Sequence, residues 1–428
     1  MIIKNTSLCC LKSLLLGIII LFSGNLVYAQ VYGCRDSLAN NYNSDATIND
    51  GSCTYNITSY TPPVKQDPVS DSLPESSGLQ MAGNFLWTFN DGGGAPAIYR
   101  IDTLTNALLQ KVNLSGATNI DWEDIAFDGT DLYVGDFGNN ANGARTDLKI
   151  YKFPFSAIPG YQANPLATIP AGQISIIHFT YSDQQQPPQA TGNNNTRFDC
   201  EAMIIDEGSI HLFSKNWIDL TTTHYVINGV AAGAYTATPV ETLNTTYLVT
   251  AADKATGQKI ITLLGYRNSG TGIHFMHLLT DYNGTNYFSG NKRQINLPDV
   301  LQMGQAEGIC LRTGTYGYIS NEKFIRYIGA TPVITVTQKL RSFDISGFVS
   351  NITAAYVFNG MGDWSNAANW KNNIAPPATI FPAGEIIIDP LGTGNCILDV
   401  PYTVSPGTKL TVSPTKRFII QGNLTIQH

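Results

Sequence analysis

Charged side chains are scarce in this chain: Asp, Glu, Lys and Arg make up 13% of its 428 residues, about half the usual share. The scarcity does not imply disorder, because 43% of the residues are hydrophobic and can build a sizeable core. Basic charge is in deficit, with 25 Lys and Arg against 32 Asp and Glu and a net charge of −7. That balance excludes a broadly basic surface for nucleic acid. No Walker loop and no G-x-S-x-G nucleophile elbow occurs. His178, His211, His224, His274 and His277 lack zinc spacing, and His274 and His277 face opposite sides of an expected strand. Helical periodicity is also missing. Gly, Asn, Thr and Ser supply the polar character and suit many short strands and turns. The length predicts two or three domains.

No apolar run after Phe22 is long enough to span a bilayer. Lys4, Lys12, the run Leu14 to Phe22 and the Val27-Tyr28-Ala29 site read as a signal peptide over 1–29. An uncleaved anchor is the other reading. No Cys stands at the cleavage point, which argues against a lipid anchor. A secreted or periplasmic protein without a transmembrane segment is expected. Cleavage leaves Cys34, Cys53, Cys200, Cys310 and Cys396. Cys34–Cys53 is the best local disulfide pair, while Cys200–Cys310 requires those segments to be neighbours.

Residues 30–55 are too few for a core, so the Cys34–Cys53 loop is expected to be a small disulfide-held module. Asp36, Asn43, Asp45, Asn49 and Asp50 are oxygen donors in one short loop. They suit either a calcium ion or a cluster of Asx turns. The segment resembles a short module, GC-x-D-x-x-A-x-NY-x-x-x-A-x-x-x-DGSC, found in secreted bacterial proteins. Residues 56–74, with Pro62, Pro63, Pro68 and Pro74, read as an extended linker.

Residues 75–347 carry a repeat. Five openers, ESSGL at Glu75, DWEDIA at Asp121, DCEAM at Asp199, TAAD at Thr250 and QAEGI at Gln305, each precede two further apolar strands. Most spacings approach the roughly 40–50 residues of a four-stranded propeller blade. The longer interval after Glu123 contains Asp183 to Asn195, which reads as a loop insertion. An all-β fold is expected, a β-propeller of five blades, with six as the alternative. Residues 355–428 read as a β-rich module, a solenoid or a sandwich. Its Trp364 and Trp370 suit a carbohydrate-stacking face or a core cap.

Openers at equivalent positions would bring Glu123, Glu201 and Glu307 to one channel, joined by Ser77 or Glu75 and by Thr250 or Asp253. Bare carboxylates repel one another there, so they require a cation, captured protons or water. Oxygen-only donors favour calcium over zinc. The alternative is that they cap amides and never meet.

The ordered motifs ESSGL, LWTFNDGG, DWEDIA, LYVGDFGNN, DCEAM and QAEGI resemble a largely uncharacterised group of secreted bacterial propeller proteins with LWTHNDSG, DWEDIA and LYVGDIGDN motifs. More distantly, the chain resembles five-bladed calcium-dependent apyrases, which hydrolyse nucleoside diphosphates. That likeness implies calcium ligands at Ser77, Glu123, Glu201 and Glu307, with Thr250 nearest to the fourth-blade serine. It implies catalytic Asp91 but puts Gly92 where an arginine is expected, leaving Arg145 and Lys215 to supply charge, with Asp136 beside them. Two functions follow. One is a secreted binding or scaffold protein with channel calcium and an extracellular protein or small phosphorylated ligand as partner. The other is a calcium-dependent phosphohydrolase.

Overall fold

A computed structural model describes residues 30–350, 355–371, 375–376, 385–404 and 409–426. The expected signal peptide lies outside the described residues. Antiparallel four-stranded meanders repeat from Ser76 onward. Ser76–Ala82, Phe85–Asn90, Ala97–Asp102 and Leu108–Leu114 form the first. Trp122–Phe127, Asp131–Asp136, Lys149–Pro154 and Ser175–Tyr181 form the second. Cys200–Asp206, Ser209–Ser214, Thr221–Ile227 and Gly233–Asn244 form the third. Leu248–Lys254, Ile260–Tyr266, Ile273–Thr280 and Asn291–Asp299 form the fourth. The fifth begins with Gln305–Leu311, Tyr316–Glu322 and Leu340–Asp344. The first strand of each meander contacts the next, and Gln305–Leu311 returns to Ser76–Ala82. This closed ring of inner strands is a β-propeller.

Apolar residues fill both faces of each blade. Phe89 of the first blade meets Trp122 of the second edge-on, with ring centroids 5.5 Å apart. Such runs, apolar on both sides, are what a strand sandwiched between two sheets needs.

The expected linker is corrected here. It is extended, but Val64–Gln66 pairs with Leu340–Asp344 and supplies the outer strand of the fifth blade. Thr58–Ser59 pairs with Asn291–Asp299, and Arg341 Nη1 donates to Pro62 O at 2.9 Å. A ring of sheets has no covalent closure at its last blade. An early strand therefore fastens that blade with backbone hydrogen bonds. Between the second and third strands of the same blade, Phe324–Ile328 and Thr331–Val336 form an inserted hairpin.

Cys34 and Cys53 form the expected disulfide. This module sits on the fourth blade, with Asn49 Nδ2 donating to Asn291 Oδ1 at 2.8 Å. Its oxygen donors serve local amides. Asp36 accepts from Leu38 N, Asn43 from Asp45 N, Asn49 from Gly51 N and Asp50 from Ser52 N. These are Asx turns, and no carboxylate of this loop belongs to a metal-competent triad among the described residues.

Near the C-terminus the strands pair in parallel. Lys409–Val412 stacks on Glu385–Ile388, which stacks on Ala355–Phe358. Arg417–Ile420 lies on Asn395–Leu398, and Leu424–Ile426 on Tyr402–Val404. These are coils of a β-solenoid. Trp364 and Trp370 are 2% and 1% exposed and meet edge-on at 4.7 Å. The carbohydrate-stacking expectation is corrected, because their faces are in the core. Cys200, Cys310 and Cys396 are buried free thiols, so no Cys200–Cys310 bridge forms.

Candidate metal centre in the propeller channel

Four inner strands are interrupted at the residue the repeat singles out. In the second blade Trp122 pairs with Asp136 and Asp124 with Gly135, which leaves Glu123 without a cross-strand partner. Glu201, Thr250 and Glu307 are skipped in the same way. In the first blade the skip falls on Gly78 and Leu79, just after Ser77. A bulged residue leaves the ladder and its side chain is re-aimed. The repeat therefore builds a bulge into each blade at one level of the channel.

A second set of residues reaches the same level from the ends of the second strands. Asp91 follows Phe85–Asn90, Lys215 follows Ser209–Ser214, and Tyr266 and Glu322 close theirs. The two sets meet. Asp91, Asp121 and Glu123 bring carboxylate oxygens within 4.8 Å of one another, as do Asp91, Glu307 and Glu322, and Glu123, Asp199 and Glu201. Asp91 and Glu123 each belong to two of these triads, so they link all seven carboxylates. Of the three glutamates expected to converge, Glu123 and Glu201 share one triad, while Glu307 stands in another and is joined to them through Asp91. Sequence reasoning missed Asp121, Asp199 and Glu322. Their signals were the D-x-E spacing in two openers and the polar residue ending each second strand.

The cluster is expensive to ionise. Burial, then Glu307 and Asp121, pushes the Asp91 carboxyl up to about 7. Burial, then Asp199, pushes Asp121 up to about 6. Burial raises Glu123 well above the usual range, with Glu201 and Asp91 adding to it. Glu322 is raised by burial and then by Glu307, and its Oε1 is buried without a hydrogen-bond partner. Like charges close together in a poorly solvated channel drive these shifts.

Some members are already engaged. Lys215 Nζ donates to both carboxylate oxygens of Glu201. Burial, the largest single influence, disfavours its charge, but Glu201, Tyr266, Glu307 and Asp199 together outweigh it and hold the ammonium protonated. Asp199 accepts from Asn139 N and Trp217 Nε1, both at 2.7 Å. Glu307 Oε1 accepts from Gln305 Nε2. Asp121, Glu123, Glu322 and part of Asp91 are left to face the channel on the side of the first, second and fifth blades.

The expected hydroxyl ligands each donate to a backbone carbonyl. Ser77 Oγ donates to Glu123 O at 3.2 Å, and Thr250 Oγ1 donates to Ala306 O at 3.1 Å. Each ties its inner strand to the next. Asp253, the alternative to Thr250, accepts from Leu311 N at 2.6 Å and is likewise a tie. Asp124 does the same toward Met203 N at 2.7 Å.

Among the expected catalytic residues, Asp91 and Lys215 stand in the channel, whereas Asp136 and Arg145 stand behind its wall. Arg145 pairs with Asp136 at 2.9 Å and Asp147 at 3.1 Å, and donates to Gly138 O at 2.8 Å. Asp136 also pairs with Lys149 at 3.0 Å and accepts from Asp121 N at 3.1 Å. Arg145 is thus a clamp on the loop that carries Gly138. A Cβ at Gly138 would collide with the carboxylates of Glu123 and Asp121, so only glycine lets the loop pass so close.

No family model matches the chain, and no curated protein matches it. Solved structures resemble it at low identity. A PQQ-bound aldose sugar dehydrogenase from Streptomyces coelicolor is 12% identical over 66% of this chain and 99% of its own, with a TM-score of 0.36. A bifunctional GH43-CE protein of Bacteroides eggerthii is 12% identical over 68% of this chain and 38% of its own, with a TM-score of 0.37. A GH43 β-1,3-galactosidase with galactodeoxynojirimycin is 10% identical over 67% and 94%, with a TM-score of 0.35. At these values the likeness says nothing of activity.

Proposed function

We propose that this is an exported binding or scaffold protein of bacterial type whose propeller holds one calcium ion in its channel. The observation that carries the reading is the linked set of seven carboxylates facing a single ammonium, Lys215. Protons or a cation must balance it near neutral pH. Asp91, Asp121, Glu123, Glu307 and Glu322 offer oxygen alone, the donor set of a hard divalent cation. Lys215 neutralises the third blade's Glu201, which moves the ion toward the opposite side. The Cys34–Cys53 disulfide supports an oxidising, extracellular or periplasmic setting, and no described helix is long and apolar enough to cross a membrane. The flanking module and solenoid suit display of the propeller to a partner.

Calorimetric titration of metal-stripped full chain with calcium tests this reading. One bound ion, lost in Glu123→Gln and Glu322→Gln, is expected. Absence of binding would overturn it.

A second reading has its own observation. Asp91 belongs to two of the linked triads, which puts a carboxylate able to orient water beside that ion. A calcium-dependent phosphohydrolase would use the ion to polarise phosphate and Asp91 to hold water. Turnover of a phosphate ester or anhydride that vanishes in Asp91→Asn and Glu123→Gln supports it. A screen without turnover rejects it.

A further inference from the structure

A cavity of about 490 Å³ opens beside the channel, between the fourth and fifth blades. Its volume is that of a small-molecule site. One wall is the loop Arg267 to Gly272, and the other is the first arm of the inserted hairpin, Phe324 to Tyr327. Among the described residues the fifth blade alone carries such a hairpin between its second and third strands, so the cavity has no counterpart required by the propeller itself.

The lining chemistry is one-sided. It contains Arg267 and Arg326 and no carboxylate, in a protein of net charge −7. Arg267 is fixed, with Nε donating to Thr246 O and Nη2 to Thr246 Oγ1, each at 3.2 Å. Its guanidinium also stacks over Phe275 at 5.2 Å. Arg326 is exposed, and no hydrogen bond or ion pair holds its guanidinium among the described residues. Tyr266, Phe324 and Tyr327 add aromatic faces. Two of the lining residues belong to the channel as well. Gln305 donates to Glu307, and the Tyr266 ring lies 5.2 Å from Lys215 Nζ.

We propose that this cavity binds a small organic anion, an aromatic or other flat body bearing a phosphate or carboxylate group. Arg326 takes the anionic group, with Arg267 adding positive charge from the facing wall. The aromatic faces take the body. Calcium in the channel would strengthen binding by offsetting the charge of Glu307 and its neighbours. The cavity's own chemistry does not depend on that ion.

The test is calorimetry on the full chain with phenyl phosphate, benzoate and inorganic phosphate, each with calcium and with chelator. Saturable binding of phenyl phosphate or benzoate is expected. Arg326→Ala should weaken it about tenfold or more, as loss of a charge-assisted hydrogen bond implies, and Phe324→Ala should also weaken it. Phenyl phosphate and benzoate distinguish the two anionic groups, and inorganic phosphate should bind more weakly than phenyl phosphate. Failure of both aromatic anions to bind at millimolar concentration would overturn the proposal. Affinities unchanged in both variants would do the same. If Arg326→Ala weakens binding equally with chelator while calcium itself does not bind, the cavity stands and the metal reading falls.

Discussion

Lys215 grips both carboxylate oxygens of Glu201, and both side chains are buried in the channel. The third blade thus carries its own cation, while the carboxylates from the first, second and fifth blades lack one. A channel with nominal five-part symmetry acquires a neutral side and an acidic side.

Lys215→Met should expose this asymmetry. Removing one partner of a buried pair leaves an uncompensated charge and costs about 3–5 kcal/mol. Urea unfolding in chelator should show that loss. With calcium most of it should return, because Glu201 then joins the ligand set. An equal loss in both conditions would contradict an ion in the channel.

Channel carboxylates and bulge hydroxyls should behave differently. Glu322→Gln is expected to weaken calcium binding by at least about tenfold, in line with the dependence of affinity on ligand charge. Thr250→Val should leave calcium affinity unchanged and cost about 1 kcal/mol, the value of one buried hydrogen bond to Ala306 O. Isothermal titration and thermal unfolding of both variants separate ligand from tie.

Gly138→Ala places a Cβ against Glu123 and Asp121. Calcium affinity should fall, because the loop held by Arg145 must retreat or the carboxylates must turn away. Native calcium affinity in this variant would mean that neither carboxylate is a ligand.

Stability without metal should fall as pH rises. Asp91 and Asp121 have folded values of about 7 and 6 against an ordinary aspartate value of 3.8. A raised carboxyl contributes stability that is complete below the unfolded value and lost as pH passes through the folded one. The buried His211, His274 and His277, lowered to about 4 from 6.5, oppose this only between those two values. Their stability is present above 6.5 and lost as pH falls toward 4. Melting temperatures in chelator well above pH 6.5, where unfolded histidines are also neutral, therefore report mainly the raised carboxyls, Asp253 at about 7 among them. They should drop with pH, and saturating calcium should lessen the drop. A flat curve without metal would mean that the cluster ionises freely.

The fifth blade depends on a strand far from it in sequence. A chain lacking residues before Pro68 should unfold at lower urea and with reduced cooperativity, since Leu340–Asp344 loses its outer neighbour Val64–Gln66. Limited proteolysis should cut first near that exposed edge. Removal of residues 30–55 alone should be milder. Equal stability of all three chains would mean that the early strand does not close the ring.

The sequence by itself determined the all-β class, the repeating openers and the Cys34–Cys53 pair. These follow from local pattern, because a repeat imposes the same strand, bulge and turn on each blade. The short strands at regular spacing marked the β-rich end of the chain, but only their parallel pairing made it a solenoid rather than a sandwich. What each opener does was not local. Ser77 and Thr250 share the openers' place in the pattern, yet their hydroxyls reach carbonyls on the next inner strand, a distance set only when blades pack. Glu322 and Asp91 lie outside the openers and enter the channel because second strands end at its rim. Arg145 could have served an anion, but folding commits it to Asp136 and Asp147. The closure by Val64–Gln66 was equally hidden, since an isolated extended segment carries no mark of the edge it will pair with. Tertiary structure decided these matters because hydrogen-bond partners and neighbouring charges come from other blades, and burial sets which charges can persist.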